Sequence, residues 1–280
     1  MNRTIFMLAL VSLFSVALVA SNTYAAGTKG RSGFMMFNSS DLIGAPVKDS
    51  HGELMAVVDE VRVDSGGHAF AVVNHGDYDL YGEGGVDTPI PFEELQISKT
   101  KAAQDTVVLK TDMEHLDFAP YLNPLKKETR QDEANVYEYY GIQPYWTRSG
   151  AAGTMGKGGF MELNSLNLVG ASVKGPGGKL IGIVDEVMVD SGGHAFAVIN
   201  HGAADLYGDG GVNTPVPLEV LRISQTKPGK DIVFLNMDRE HLDFAPFLDP
   251  TQTNNRQYEA NIYEYYGIQP YWTENGASAK

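Results

Sequence analysis

"ELMAVVDEVRVDSGGHAFAVVN", Glu53 to Asn74, returns as "KLIGIVDEVMVDSGGHAFAVIN", Lys179 to Asn200. In both stretches a valine-rich run reaches an aspartate, the turn Asp-Ser-Gly-Gly follows, and a second apolar run begins at histidine. Branched residues suit the pleated surface of a sheet, and paired glycines accept positive φ at little cost. The stretch therefore predicts a hairpin: a strand over Leu54–Asp64, a tight turn, and a strand over His68–Asn74. Its glycines are expected to serve backbone geometry, and its histidines and acids to face water for the most part.

Outward from the hairpin, Ala45–Asp49 reads as a strand paired with Leu54–Asp64 across Ser50-His51-Gly52-Glu53. Val86–Ile90 and Thr106–Leu109 are further short strands, and Pro91 closes the first of them. Asp112 is placed to cap a helical turn through Leu116. Glu133–Tyr140 reads as a short helix ended by Gly141, with Pro144 barring its continuation. Many short strands with one or two short helices predict an all-β fold, a small β-barrel.

The pattern occurs twice. An offset of 126 residues aligns 33–147 with 159–273 without a gap, and about two thirds of the pairs are identical. Each unit of about 115 residues is domain-sized. The expected organisation is a signal peptide over 1–25, a linker over 26–32, one barrel over 33–147, a Gly-rich linker over 148–158, a second barrel over 159–273 and a tail over 274–280. A complete repeat of this kind predicts halves that fold independently.

"DLIGAPVKDSHGELMAVVDEVRVD", from Asp41, and "NLVGASVKGPGGKLIGIVDEVMVD", from Asn167, resemble the opening of the PRC-barrel family, named for the photosynthetic reaction centre H subunit. The family pattern runs Gly, apolar, Val, then Gly-x-x-Leu-Gly-x-Val-x-Asp-Val-x-Val-Asp. Gly182 stands at a family glycine that the first copy replaces with Ala56. "VDTPIPFEELQIS" and "EHLDFAP" resemble later family segments, so the resemblance covers nearly all of each unit. The loops "HGDYDLYGEGGVD" and "HGAADLYGDGGVN" depart from the family's more apolar character. The resemblance implies tandem PRC-barrels, and a role in macromolecular assembly like that of the barrels in the reaction centre subunit and the ribosome maturation factor.

Met1-Asn2-Arg3, an apolar run from Ile5 to Ala20 broken only by serines, and small residues up to Ala25 match a cleaved secretory signal. The mature protein is accordingly expected in the periplasm or outside the cell, with no transmembrane span. The chain has no cysteine, which excludes disulfides, thiolate metal sites and a cysteine nucleophile. Its formal charge of -14 repels phosphate backbones, so nucleic acid is not an expected partner.

Asp79, Glu83 and Asp87, matched by Asp205, Asp209 and Asn213, bring oxygen ligands to each loop and allow a calcium-regulated surface protein as an alternative. His68, His75 and His115 recur as His194, His201 and His241 and allow a metal-dependent hydrolytic enzyme. Yet His68 and His75 are an odd number of residues apart, which puts them on opposite faces of one strand. Asp59-Glu60 and Asp185-Glu186 likewise point apart and mark a barrel edge. Ser65 and Ser191, each three residues before a histidine, lack the strand-turn-helix setting of a nucleophile elbow.

The aromatic blocks that close the units are the remaining candidates: Tyr137, Tyr139, Tyr140, Tyr145 and Trp146, then Tyr263, Tyr265, Tyr266, Tyr271 and Trp272. Such rings suit protein contacts, and Tyr137, Tyr139, Tyr145, Trp146, Tyr263, Tyr265, Tyr271 and Trp272 form the candidate binding surface, although packing on their own barrel accounts for the same residues. The expected function is therefore non-enzymatic binding or scaffolding, without a cofactor, toward a protein partner or a second copy.

Overall fold

The computed structural model describes residues 35–64, 66–78, 84–98, 105–123, 128–147, 163–202, 211–224 and 231–274. The first unit contains β2 (Pro46–Lys48), β3 (Leu54–Val63), β4 (Ala69–Tyr78), β5 (Gly84–Pro91), β6 (Leu95–Ser98) and β7 (Thr106–Leu109). Its sheet runs β5-β4-β3-β2-β7-β6, antiparallel except for the β2/β7 pair. The second unit repeats this order with β9 (Ser172–Lys174), β10 (Leu180–Asp190), β11 (Ala195–His201), β12 (Val212–Pro217), β13 (Leu221–Ser224) and β14 (Ile232–Leu235). The molecule is thus mostly strand, two tandem barrel-like units with short helices. Among the described residues no helix is long and apolar enough to cross a membrane.

The predicted strands are present, and the helices begin where capping chemistry allows. Asp112 accepts from the His115 amide and opens α2 (Met113–Asp117). The main helix of the first unit, α3 (Arg130–Tyr139), starts three residues before the expected Glu133. Thr129 and Asp132 form a reciprocal capping box there, which satisfies backbone amides that would otherwise lack partners. Gly141, at φ 68°, ends it in the left-handed region.

The first strand of each unit is not in its own sheet. β1 (Met36–Asn38) pairs with β10, placing Phe37 opposite Val189, and β8 (Leu163–Asn164) pairs with β3, placing Leu163 opposite Val63. Both β3 and β10 are long enough to do this. The first half of β3 pairs with β2 and the end of it with β8; β10 divides in the same way between β9 and β1. Single-residue register shifts at Asp59 and Asp185 separate the two stretches on the β4 and β11 sides. Such bulges turn the strand and re-aim the side chains beyond them. Glu60 accepts from the Asn164 side chain, and Glu186 from Asn38, so the paired carboxylates at the barrel edge anchor the strand received from the other unit.

One apolar cluster spans both units, containing Met36, Phe37 and Val63 together with Leu163, Val187 and Val189. Independent halves were expected, and the exchange supplies the reason they share one core: each sheet takes buried side chains from the opposite half of the chain. β4 is covered on both faces. Ala69, Ala71 and Val73 face that core, while Phe70 lies under Val136 and Tyr137 of α3 in a satellite cluster.

Candidate functional site

The repeated Asp-Ser-Gly-Gly-His turns meet where the two units join. Asp64 Oδ1 accepts from the Gly66 and His68 amides, both at 2.8 Å, and the Gly67 amide donates to Asp64 O. Asp190 closes the second turn in the same way through Gly192 and His194. The turns then bond to each other: the Ala69 amide donates to Gly193 O, and the Ala195 amide to Gly67 O, each at 2.7 Å. Ser191 donates its amide to Met35 O beside the exchanged strand, while Ser65 lies outside the described residues.

Four rings meet across this junction. Tyr145 stacks on His68 at 3.7 Å between centroids and Tyr271 on His194 at 3.9 Å, while the two histidine rings meet tilted by 53° at 4.6 Å. Below them are two pairs of buried acids, Asp64 with Glu133 of α3, and Asp190 with Glu259 of α6 (Arg256–Tyr265). Burial pushes Asp64 up. Glu259 is pushed up to about 12, first by burial and then by the Asp190 charge beside it. The turn acids and His68 are therefore interior groups, which corrects the expectation that they face water.

His75 and His201 are also buried, on the opposite face of β4 and β11 from His68 and His194. His75 Nδ1 stands 3.3 Å from Asp117 of α2, and Nε2 stands 2.9 Å from Thr88 Oγ1. His201 repeats this with Asp243 at 3.1 Å and Thr214 at 2.8 Å. The carboxylate favours the proton on Nδ1, which leaves Nε2 to accept the threonine hydroxyl. This order of groups is the one that activates a hydroxyl nucleophile, but Thr88 and Thr214 are 0% exposed. Burial lowers both histidine pKa values, and the aspartates work against that. Their stabilising contribution is thus present above the ordinary histidine range and lost as pH falls through it, where the unfolded chain takes up protons. Replacing Thr88 or Thr214 by Val leaves Nε2 without a partner and is expected to cost about 1–3 kcal/mol, read as a shift in the urea midpoint.

The predicted histidine set does not converge. His68 meets its counterpart at the junction, His75 meets Asp117, and exposed His115 packs on Tyr139 at 4.7 Å between centroids. Among the described residues no three His, Asp or Glu side chains are grouped to hold a metal ion. Of the loop acids, Asp87 accepts from Asn74, and Asn213 accepts from Asn200 and donates to Asp185. Asp79, Glu83, Asp205 and Asp209 lie outside the described residues.

The candidate binding surface divides by depth. Tyr137 and Tyr263 belong to the interior, edge-on to Phe70 and Phe196. Tyr145 and Tyr271 join the histidine stack. Tyr139 and Tyr265 donate their hydroxyls to His115 O and His241 O. Trp146 and Trp272 are covered by the guanidinium groups of Arg130 and Arg256, at 4.7 and 4.5 Å from the ring centroids. Among the described residues the aromatic side chains most open to water are others, at matching positions after α2 and after α5 (Arg239–Asp243): Phe118 and Phe244, 76% and 77% exposed, with Tyr121 and Phe247 at 65% and 61%. The segment "LDFAPYL" and its copy "LDFAPFL" carry the signal for them, four aromatic or leucine side chains in a stretch with one apolar face to fill. Compared with family models and with curated proteins, the chain matches none.

Proposed function

We propose that this protein is an exported, non-enzymatic binding or scaffolding protein built from two PRC-barrel-like units, working without a cofactor in the periplasm or outside the cell. The observation that carries the reading is the matched set Phe118, Tyr121, Phe244 and Phe247, large aromatic side chains left in water on both units. Single exposed apolar residues are ordinary, but two aromatics on one short segment, repeated in the second unit, suit the docking of a protein partner at two equivalent places. Among the described residues, the turn acids with His68 and His194 lie in the junction, and the hydroxyls beside His75 and His201 are enclosed.

The N-terminal apolar run supports export, and the ordered segments quoted above support the family likeness. A photo-crosslinking residue at position 121 or 247, in cells that export the protein, should give a discrete protein adduct at both positions. Phe118→Ser with Phe244→Ser should abolish the adducts while leaving the unfolding midpoint unchanged within about 0.5 kcal/mol, as for other surface changes. Absence of an adduct at both positions would overturn the binding reading. A turnover that disappears in His75→Ala with His201→Ala would replace it with the hydrolytic one.

A further inference from the structure

Glu259 is completely buried, and among the described residues no amide or hydroxyl donor reaches either of its oxygens. It faces Asp190, whose Oδ1 is occupied by two amides and which also faces the Tyr271 hydroxyl. Two carboxylates are acceptors only. Set against each other in the interior, they bond directly only if one carries a proton, which then lies between them. In the first unit Asp64 is held by its amides in the same way, and it faces buried Glu133 and the Tyr145 hydroxyl. In each case one acid belongs to the junction turn and the other to the C-terminal helix that leads into the aromatic tail.

We propose that each Asp–Glu pair is a proton-operated clasp: while it holds its shared proton it fastens the C-terminal helix and tail of its unit onto the junction turn, and on losing that proton it releases them. Release uncovers the Tyr145 and Tyr271 faces of the ring stack, and with them the contact between the units. The clasp belongs to the fold and does not depend on the binding reading above.

The surroundings favour the protonated pair. Glu259 is faced by Asp190 from β10, by Tyr263 from its own helix, by Tyr271 and by Arg256. His194 lies against Tyr271, Glu219 stands beside Tyr263, and Glu93 of the first unit reaches Gly193 across the junction. Asp64 is faced by Glu133, Tyr145 and Tyr137, with His68 against Tyr145, Arg130 beside Tyr145, Glu93 beside Tyr137 and Glu219 across the junction at Gly67. Only Arg130 and Arg256 are fixed positive charges in these sets, and both also cover a tryptophan. A carboxyl whose pKa is raised in the folded state contributes fully below its ordinary range, and that contribution is lost as pH rises toward the folded value. Opening one clasp liberates one proton, so the released population should rise about tenfold per pH unit, and about a hundredfold where both open together.

The two tryptophans of the chain, Trp146 and Trp272, sit one in each tail and report release directly. Their emission and acrylamide quenching would be followed in the full mature chain at fixed sub-denaturing urea between pH 7 and 9, above the histidine range and below that of tyrosine. Trp146→Phe and Trp272→Phe would isolate each tail. We expect about a tenfold rise in release per pH unit, abolished in the first tail by Glu133→Gln and in the second by Glu259→Gln, since glutamine keeps the shape and a donor without a titrating proton. A slope unchanged in both glutamine variants would overturn the clasp. If those variants do not fold, the unsubstituted chain still decides: a flat profile or release on acidification overturns it.

Discussion

Phe37→Ala will unfold or strongly destabilise the unit at the other end of the sequence. The side chain is buried opposite Val189 in β10, so its truncation removes contacts from the C-terminal sheet and is expected to cost about 3–5 kcal/mol. Leu163→Ala, which empties the site opposite Val63 in β3, should cost about 2–5 kcal/mol and damage the N-terminal sheet. Against a total stability of about 5–15 kcal/mol, either loss is large. Urea midpoints give the size of the effect, and segment-resolved hydrogen exchange gives its place: protection should fall first in β10 for Phe37→Ala and first in β3 for Leu163→Ala. Loss confined to β2–β7 in the first variant would contradict the exchange of strands. The same architecture implies that a cut in the 148–158 linker of the folded chain leaves the halves together, because the exchanged strands and the shared apolar cluster persist without the covalent link. The cut protein should elute as one species and unfold in one transition.

The exchange is the part of the fold that the sequence conceals. A strand such as Met36-Phe37-Asn38 fits either β3 or β10, because those strands are copies of each other and present equivalent edges. No local propensity distinguishes them; only the geometry of the connections does, and that is a property of the whole chain. The hairpin, the β7 strand and the Asp112 cap were legible because their causes are local: branched residues in alternation, paired glycines, an acid before a helical turn. The buried acids were legible in part. Glu133, Val136, Tyr137 and Tyr140 stand at i, i+3, i+4 and i+7, the spacing of one helical face, so the glutamate occupies the core stripe. Glu259, Ile262, Tyr263 and Tyr266 repeat that stripe. Treating acids as solvated by default hides the feature, since the helix period and not the residue type decides which side chains enter the core. Asp117 stands two residues from His115 in the sequence, but its approach to His75 depends on how α2 folds back over β4, which no spacing in the sequence encodes.

Gly66→Ala and Gly192→Ala will be more damaging than Gly67→Ala and Gly193→Ala, although only the second pair has positive φ, at 81° and 82°. For Gly67 and Gly193 the expected cost is backbone strain of about 1 kcal/mol or more. Gly66 is constrained by its neighbour instead: a Cβ there would lie 2.1 Å from the Tyr145 hydroxyl and 2.4 Å from its ring carbon, and at Gly192 the corresponding distances to Tyr271 are 2.1 and 2.6 Å. No real contact is that short, so the tyrosine must leave its place on the histidine, and the turn, the ring stack and the tail are disturbed together. Overpacking of this kind costs about 1–3 kcal/mol, and lost ring stacking about 0.5–1.5 kcal/mol more. A double-mutant cycle separates the two causes. In a Tyr145→Ala background the obstacle is gone, and Gly66→Ala should then change the urea midpoint by less than about 0.5 kcal/mol, while the penalty at Gly67 should remain because a backbone angle does not depend on the tyrosine. Equal penalties for Gly66→Ala with and without the Tyr145 ring would show that the glycine serves the turn itself. A coupling that cancels the penalty would show that the doubled glycine has two separate causes, one for the chain reversal and one for the ring that closes over it.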